Sequence, residues 1–152
     1  MLKIVITYPG KDEEKLIMRE NTGKTFPFPD KILAPEDILR SCEMAKDVYM
    51  DEKIEQYILD IVFATRFPSD YHLPQYANMI SYGASPRASI NLAKAARAYA
   101  FIRHRGFVIP EDVRAVCLDV MRHRIGLTYE AEAENITTEE IVTDILNNIE
   151  VP

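Results

Sequence analysis

Residues 2–8 constrain this chain more than any other stretch, because they read as a β-strand with no strand to join. Leu2, Ile4, Ile6 and Tyr8 occupy alternate positions, β-branched residues dominate, and Pro9-Gly10 stops the run. Val5 faces the other way, as in a strand covered on both faces. A single strand cannot bury its backbone donors and acceptors without a partner. The only other extended candidate is the two-residue Phe107-Val108. The strand is therefore expected to belong to a sheet whose other members lie outside these 152 residues, so that the chain reads as cut from a larger protein.

The rest of the sequence reads as helix. Residues 12–21 form a short one with Leu16 and Ile17 as apolar contacts. Residues 23–33, with Pro27 and Pro29 among Phe26 and Phe28, lack helical periodicity and read as a linker. From Pro35 onward the apolar period is 3.6: Ile38, Leu39, Cys42 and Ala45 make one stripe. Asp51 is placed to cap a helix whose inner face is Ile54, Tyr57, Ile58, Ile61 and Val62, ended by Phe67-Pro68. Ser85 and Pro86 supply the cap and first position of a long helix expected to run to Gly106. Its Ala88, Ala93, Ala95, Ala96, Ala98 and Ala100 leave small surfaces that suit close neighbours, so it is expected at the centre of the bundle. A further helix runs from Pro110 to about residue 121 on Val113, Val116, Cys117 and Val120. The last begins at Thr137, with Glu140 three residues on as a capping box and Ile141, Ile145 and Leu146 facing inward. The expected fold is thus mainly α, with a strand and helix of a missing α/β core at 1–22, a linker at 23–33 and a helical domain at 34–152.

Composition narrows the function. The net charge of −6, with acids and bases well mixed, argues against nucleic acid as the main ligand. No run approaches the roughly 18 apolar residues of a membrane span. The first residues form neither a signal nor a transit peptide. Cys42 and Cys117 are too few and too far apart for a disulfide framework or a metal site. Both are expected to be buried, reduced thiols, which suits a cytoplasmic protein.

Several motif fragments fail on inspection. Gly23-Lys24-Thr25 imitates the end of a phosphate-binding loop, but Met18 stands where that loop needs glycine, and Phe26-Pro27 follows where a helix should start. His72, His104 and His123 have no ligand spacing, and the last two sit among Arg103, Arg105, Arg122 and Arg124, so no metal site is expected. No Ser, Cys or carboxylate has a base and an orienting partner nearby in sequence.

Gly83-Ala84-Ser85-Pro86-Arg87-Ala88 is the informative stretch. Arg87 falls in the first turn of the alanine-rich helix, beside the unpaired N–H groups and the positive end of the helix dipole, a combination suited to phosphate. A solvated arginine at a helix start is the plainer reading of the same residue. At about 100° per residue, Asn91, Lys94 and Arg105 fall close to Arg87 and extend one polar stripe.

That hexapeptide, together with Pro110-Glu111-Asp112-Val113, Arg122-His123-Arg124-Ile125 and Glu130-Ala131-Glu132-Ala133, resembles the C-terminal part of MoxR-family AAA+ ATPases, and the resemblance extends over essentially the whole chain. Residues 1–9 are similar to that family's last core strand. The resemblance implies a lid domain that closes over ATP and Mg2+ held by an ATPase core, in a homo-oligomeric ring, a hexamer. It implies that Arg87 is the lid arginine reaching the γ-phosphate, with Asn91 and Lys94 as lesser members of the same surface. Such proteins are chaperone-like activators or insert metal cofactors into clients, often with partners carrying von Willebrand A domains. The Walker A loop, Walker B carboxylates, first sensor and arginine finger have no counterpart here, so the isolated chain is not expected to be an enzyme. Ile109 departs from the Thr or Asp that the pattern places before Pro-Glu-Asp. A free-standing helical interaction adaptor and the lid of a magnesium-chelatase-type ATPase subunit are the two alternative readings.

Overall fold

The computed structural model describes residues 1–23 and 28–152. Among these the elements are α1 (Lys11–Thr22), α2 (Pro35–Lys46), α3 (Glu52–Ala64), β1 (Ile80–Tyr82), α4 (Pro86–Ile102), α5 (Pro110–Met121), β2 (Gly126–Leu127), α6 (Tyr129–Ala133) and α7 (Thr138–Asn148). Two short 3-10 turns, Pro68–Tyr71 and Pro74–Tyr76, connect α3 to β1. The fold is mainly helical, as the 3.6-residue period requires.

The core extends from Val48 to Ile149, and the inner faces read from the sequence are the ones that form it. Ile54, Tyr57, Ile58, Ile61 and Val62 of α3 are buried against Val113, Val116, Cys117 and Val120 of α5 and Ile141, Val142, Ile145 and Leu146 of α7. Helix α4 packs most closely on α5 and also touches α2 and α3. Its buried Ala88, Ala95, Ala96 and Ala100 explain how it can have neighbours on several sides. Asp51 caps α3 by accepting from Lys53 N at 2.9 Å, and Thr137 and Glu140 form the capping box of α7. Helix α5 begins without a side-chain cap at Ile109. The Asp112 carboxylate compensates by accepting from Ile109 N at 2.9 Å.

The N-terminal part behaves differently. Every residue from 1 to 23 is exposed. Residues 2–8 join no sheet among the described residues. Lys3 N donates to Asp119 O at 2.8 Å, and the Arg124 guanidinium reaches Met1 O at 3.4 Å. Helix α2 rests on α4 but buries no residue: Ile38 and Leu39 are 51% and 67% exposed.

Three expectations need correction. The sheet is built from β1 and β2, antiparallel, with Ile80 opposite Leu127 and Tyr82 opposite Gly126; Phe107 makes only an isolated bridge, to Tyr49. The exposed Tyr82 ring lies over Gly126, where a Cβ would come within 2.2 Å of it unless the ring swung aside. Helix α4 stops at Ile102 rather than Gly106, because His104 adopts a left-handed conformation (φ 57°) and Arg105 N turns back to Ala100 O at 3.0 Å. Cys42 is exposed, lining an open cavity between α2 and α4 instead of packing into the core; Cys117 is buried. The segment containing Glu130, Ala131 and Glu132 forms α6, capped by Thr128. Lys24, Thr25, Phe26 and Pro27, part of the linker expectation, lie outside the described residues.

Candidate functional site

The approach to α4 is fixed from below by the end of α3. Thr65, the last turn's cap and fully buried, donates its hydroxyl to Val62 O at 2.6 Å and accepts from Ala84 N at 2.9 Å. Arg66 Nε donates to Ala84 O at 2.6 Å, and its guanidinium stacks 4.9 Å from the centre of the Phe63 ring. Both polar groups of the Ala84 backbone are thereby held. The chain approaches so closely that a Cβ on Gly83 would sit 2.5 Å from Thr65 O, which is why glycine stands there. Nothing local in the sequence marks Thr65 or Arg66, because their partner lies 18 or 19 residues away.

Ser85 then occupies the N-cap of α4 with extended backbone (ψ 169°), but its hydroxyl makes no capping bond. Ala88 N bonds to Ser85 O at 2.7 Å, while the N–H of Arg87 finds no acceptor among the described residues. Pro86 contributes no donor at all. The positive end of α4 therefore keeps an open backbone donor. The exposed side chain of Arg87 stands beside it, with no hydrogen bond or ion pair to any described residue. Asn91 is half-buried and Lys94 exposed, one and two turns further along the same face, about 40° and 20° from Arg87 around the helix axis. The structure thus keeps these three in one stripe.

Arg105 does not join them. Beyond the end of α4 its guanidinium turns to Asp112, making one bond at 2.7 Å and a second, shorter one, and so ties the α4–α5 turn. The other basic motif is also structural. Arg122 Nε and Arg124 Nε cover the last carbonyls of α5, at Leu118 O (3.1 Å) and Val120 O (2.9 Å), and Arg122 pairs with Asp119. His123 is pushed below its ordinary value by partial burial first and then by Arg124. Past Lys94, the side chains of Lys46, Arg97 and Cys42 line a cavity of about 340 Å³ between α2 and α4. Among the described residues, no helix is long and apolar enough to cross a membrane, and no cluster of His, Cys, Asp and Glu could hold a metal ion.

An arginine free at an uncapped helix start can donate to an anion through its guanidinium and the backbone together. It offers no nucleophile, base or metal ligand. Comparisons with known proteins identify the family. Residues 76–145, from before β1 into α7, match the AAA lid domain family model. Along its full length the chain is 38% identical to Chaperone MoxR1 of Mycobacterium tuberculosis and 35% identical to the uncharacterized protein YeaC of Bacillus subtilis, covering 40% and 45% of them. Over 53% of its length it is 40% identical to Protein MoxR of Paracoccus denitrificans. A crystal structure from Cytophaga hutchinsonii, named a "putative ATPase", superposes over the whole chain with a TM-score of 0.96 at 42% identity, and the chain covers 46% of it. The chain thus spans less than half the length of these relatives, and it belongs to the MoxR family of AAA+ proteins, of which it carries the lid portion.

Proposed function

We propose that this chain is the lid of a MoxR-like AAA+ ATPase, in which Arg87 meets the γ-phosphate of ATP when the lid closes at a subunit boundary. The observation that carries the reading is the state of Arg87. Arg66, Arg105, Arg114, Arg122 and Arg124 are each engaged in hydrogen bonds; of the arginines whose side chains make none among the described residues, Arg87 is the one that stands at a helix start, beside an open backbone donor. Asn91 and Lys94 extend that donor surface along α4. A lid of this kind needs an ATPase core to supply the loop and carboxylates that hold ATP and Mg2+. Bound there, the nucleotide provides the phosphoanhydride bond whose cleavage drives work. This chain's part is to hold positive charge against the phosphate and to move with the lid, and alone it turns over no ATP.

On the same reading residues 1–22 belong to that core, residues 23–33 link it to the lid, and residues 34–152 move with Arg87. The assembly is a cytoplasmic homo-oligomeric ring, a hexamer, that couples hydrolysis to chaperone-like activation of client proteins or to metal-cofactor insertion, with von Willebrand A domain proteins as partners. The similarity to Chaperone MoxR1 supports this direction.

The test is Arg87→Ala in the full-length ring, with turnover and nucleotide affinity measured separately. Loss of one preorganised donor costs about 3 kcal/mol in the transition state, roughly a hundredfold in turnover. Affinity is expected to fall less, because the other phosphates keep their contacts with the core. Wild-type turnover in the variant ring would return Arg87 to the role of a solvated surface arginine.

A further inference from the structure

The end of α3 and the start of α4 are joined by a polar clamp that the phosphate reading leaves unexplained. Ala84 stands three positions before Arg87 and is itself fully buried. Its N–H goes to the Thr65 hydroxyl and its carbonyl to Arg66 Nε, so both of its backbone groups are tied to α3. The Thr65 hydroxyl is in turn oriented by its bond to Val62 O and cannot rotate away without losing a buried partner. Ser85, which could have fixed the helix start locally, makes no capping bond. The direction in which α4 leaves the loop, and with it the place of Arg87, is therefore set by α3.

We infer that Thr65 and Arg66 are positioning residues for Arg87, holding the first turn of α4 so that its guanidinium and open N–H present one anion-facing pair. The inference rests on the phosphate reading of Arg87. Thr65→Val keeps the side chain's shape but leaves the Ala84 N–H buried and unpaired, a penalty the loop relieves by swinging out toward water. Such a swing displaces the first turn of α4, and a displacement near 1 Å is enough to cost up to about a hundredfold in rate. Thr65→Ser keeps the hydroxyl. Arg66→Met keeps an unbranched stem but has no donor for the Ala84 carbonyl, at a position that is only partly buried.

The experiment measures turnover and nucleotide dissociation constants in the full-length protein for Thr65→Val, Thr65→Ser, Arg66→Met, Arg87→Ala and the Thr65→Val/Arg87→Ala double variant. Thr65→Val is expected to lower kcat about tenfold while nucleotide affinity stays within about twofold, and Thr65→Ser is expected to restore turnover. The double variant is expected to be no slower than Arg87→Ala, because a clamp that acts through Arg87 has nothing left to position. If Thr65→Val does not assemble, Arg66→Met carries the same expectations for kcat and affinity. Wild-type turnover in assembled Thr65→Val and Arg66→Met rings, or losses that multiply in the double variant, would overturn the positioning role while leaving the phosphate reading intact. Wild-type turnover in Arg87→Ala would overturn the phosphate reading itself, and the inference with it.

Discussion

Helix α2 presents Ile38, Leu39, Cys42 and Ala45 on one face, and helix α3 presents Ile54, Tyr57, Ile58, Ile61 and Val62. The two patterns have the same period and similar composition, yet α2 buries none of its residues and α3 buries all five. The difference lies in what surrounds them. Helix α3 is enclosed by α4, α5 and α7, while α2 packs chiefly on α4 and α1 has no buried residue. Apolar periodicity thus locates a face that needs covering without saying what covers it. Residues 48–149 provide their own cover. Residues 1–46 leave Ile4, Ile6, Leu16, Ile17, Ile38 and Leu39 exposed, more apolar surface than a self-contained element carries without reason.

The two cysteines sharpen this contrast most. Cys42 is exposed, and the burial of Cys117 pushes its thiol up to about 12. A thiol reagent is expected to modify Cys42 at once and Cys117 more than about a thousandfold more slowly, since reaching it requires the core to open. The same burial fixes a pH trend. A thiol whose folded-state value is raised favours the unfolded chain once it ionises, so its contribution to stability is complete below about pH 9 and is lost as pH rises toward 12. Mass spectrometry of the labelled chain and alkaline unfolding curves check the two expectations.

Truncations in the two regions should differ nearly as sharply. Leu92→Ala removes a fully buried side chain from α4 and is expected to cost about 3 kcal/mol in urea unfolding. Leu39→Ala, at 67% exposure, should cost no more than about 0.5 kcal/mol. Equal losses would mean that α2 is part of the core after all. The glycines repeat the comparison on a smaller scale. Gly83→Ala forces a methyl to within 2.5 Å of Thr65 O and is expected to cost about 2 kcal/mol, whereas the nearest atom to a methyl at Gly10 is Glu13 Oε2 at 3.6 Å, leaving Gly10→Ala near neutral. Smallest of all is Arg87→Ala in the chain without its ATPase core. Lacking a partner to lose, it should shift stability by less than about 0.5 kcal/mol. A larger shift would identify a structural arginine.

Much of the bundle was legible because its signals are local. Pro35, Pro86 and Pro110 mark the starts of three helices, Asp51 and Thr137 cap two others, and each signal acts within four residues. The parts that were not legible depend on distant partners or on elements too short for a period. The strands β1 and β2 are three and two residues long, too short to alternate visibly. The end of α4 depends on His104 accepting a left-handed conformation that glycine would have advertised. Arg105 lay in the polar stripe as long as α4 was expected to reach Gly106, and left it once the helix ended early and Asp112 came within reach. Arg87 was legible as an anion-binding type from its place at a helix start. Thr65 and Arg66 were not, because their bonds to Ala84 exist only after α3 and α4 have packed.

Backbone amide exchange on the 152-residue chain, followed by the same measurement on the full-length protein, tests most directly whether these two regions answer to different partners. In the chain alone, the buried segments of α3, α4, α5 and α7 are expected to be strongly protected, α2 weakly protected, and α1 with residues 1–10 close to unprotected. In the full-length protein the N-terminal segment is expected to become protected while the bundle changes little. Protection of residues 1–22 in the chain alone at the level of α3 would contradict the account, as would a bundle that gains its protection only in the full-length protein.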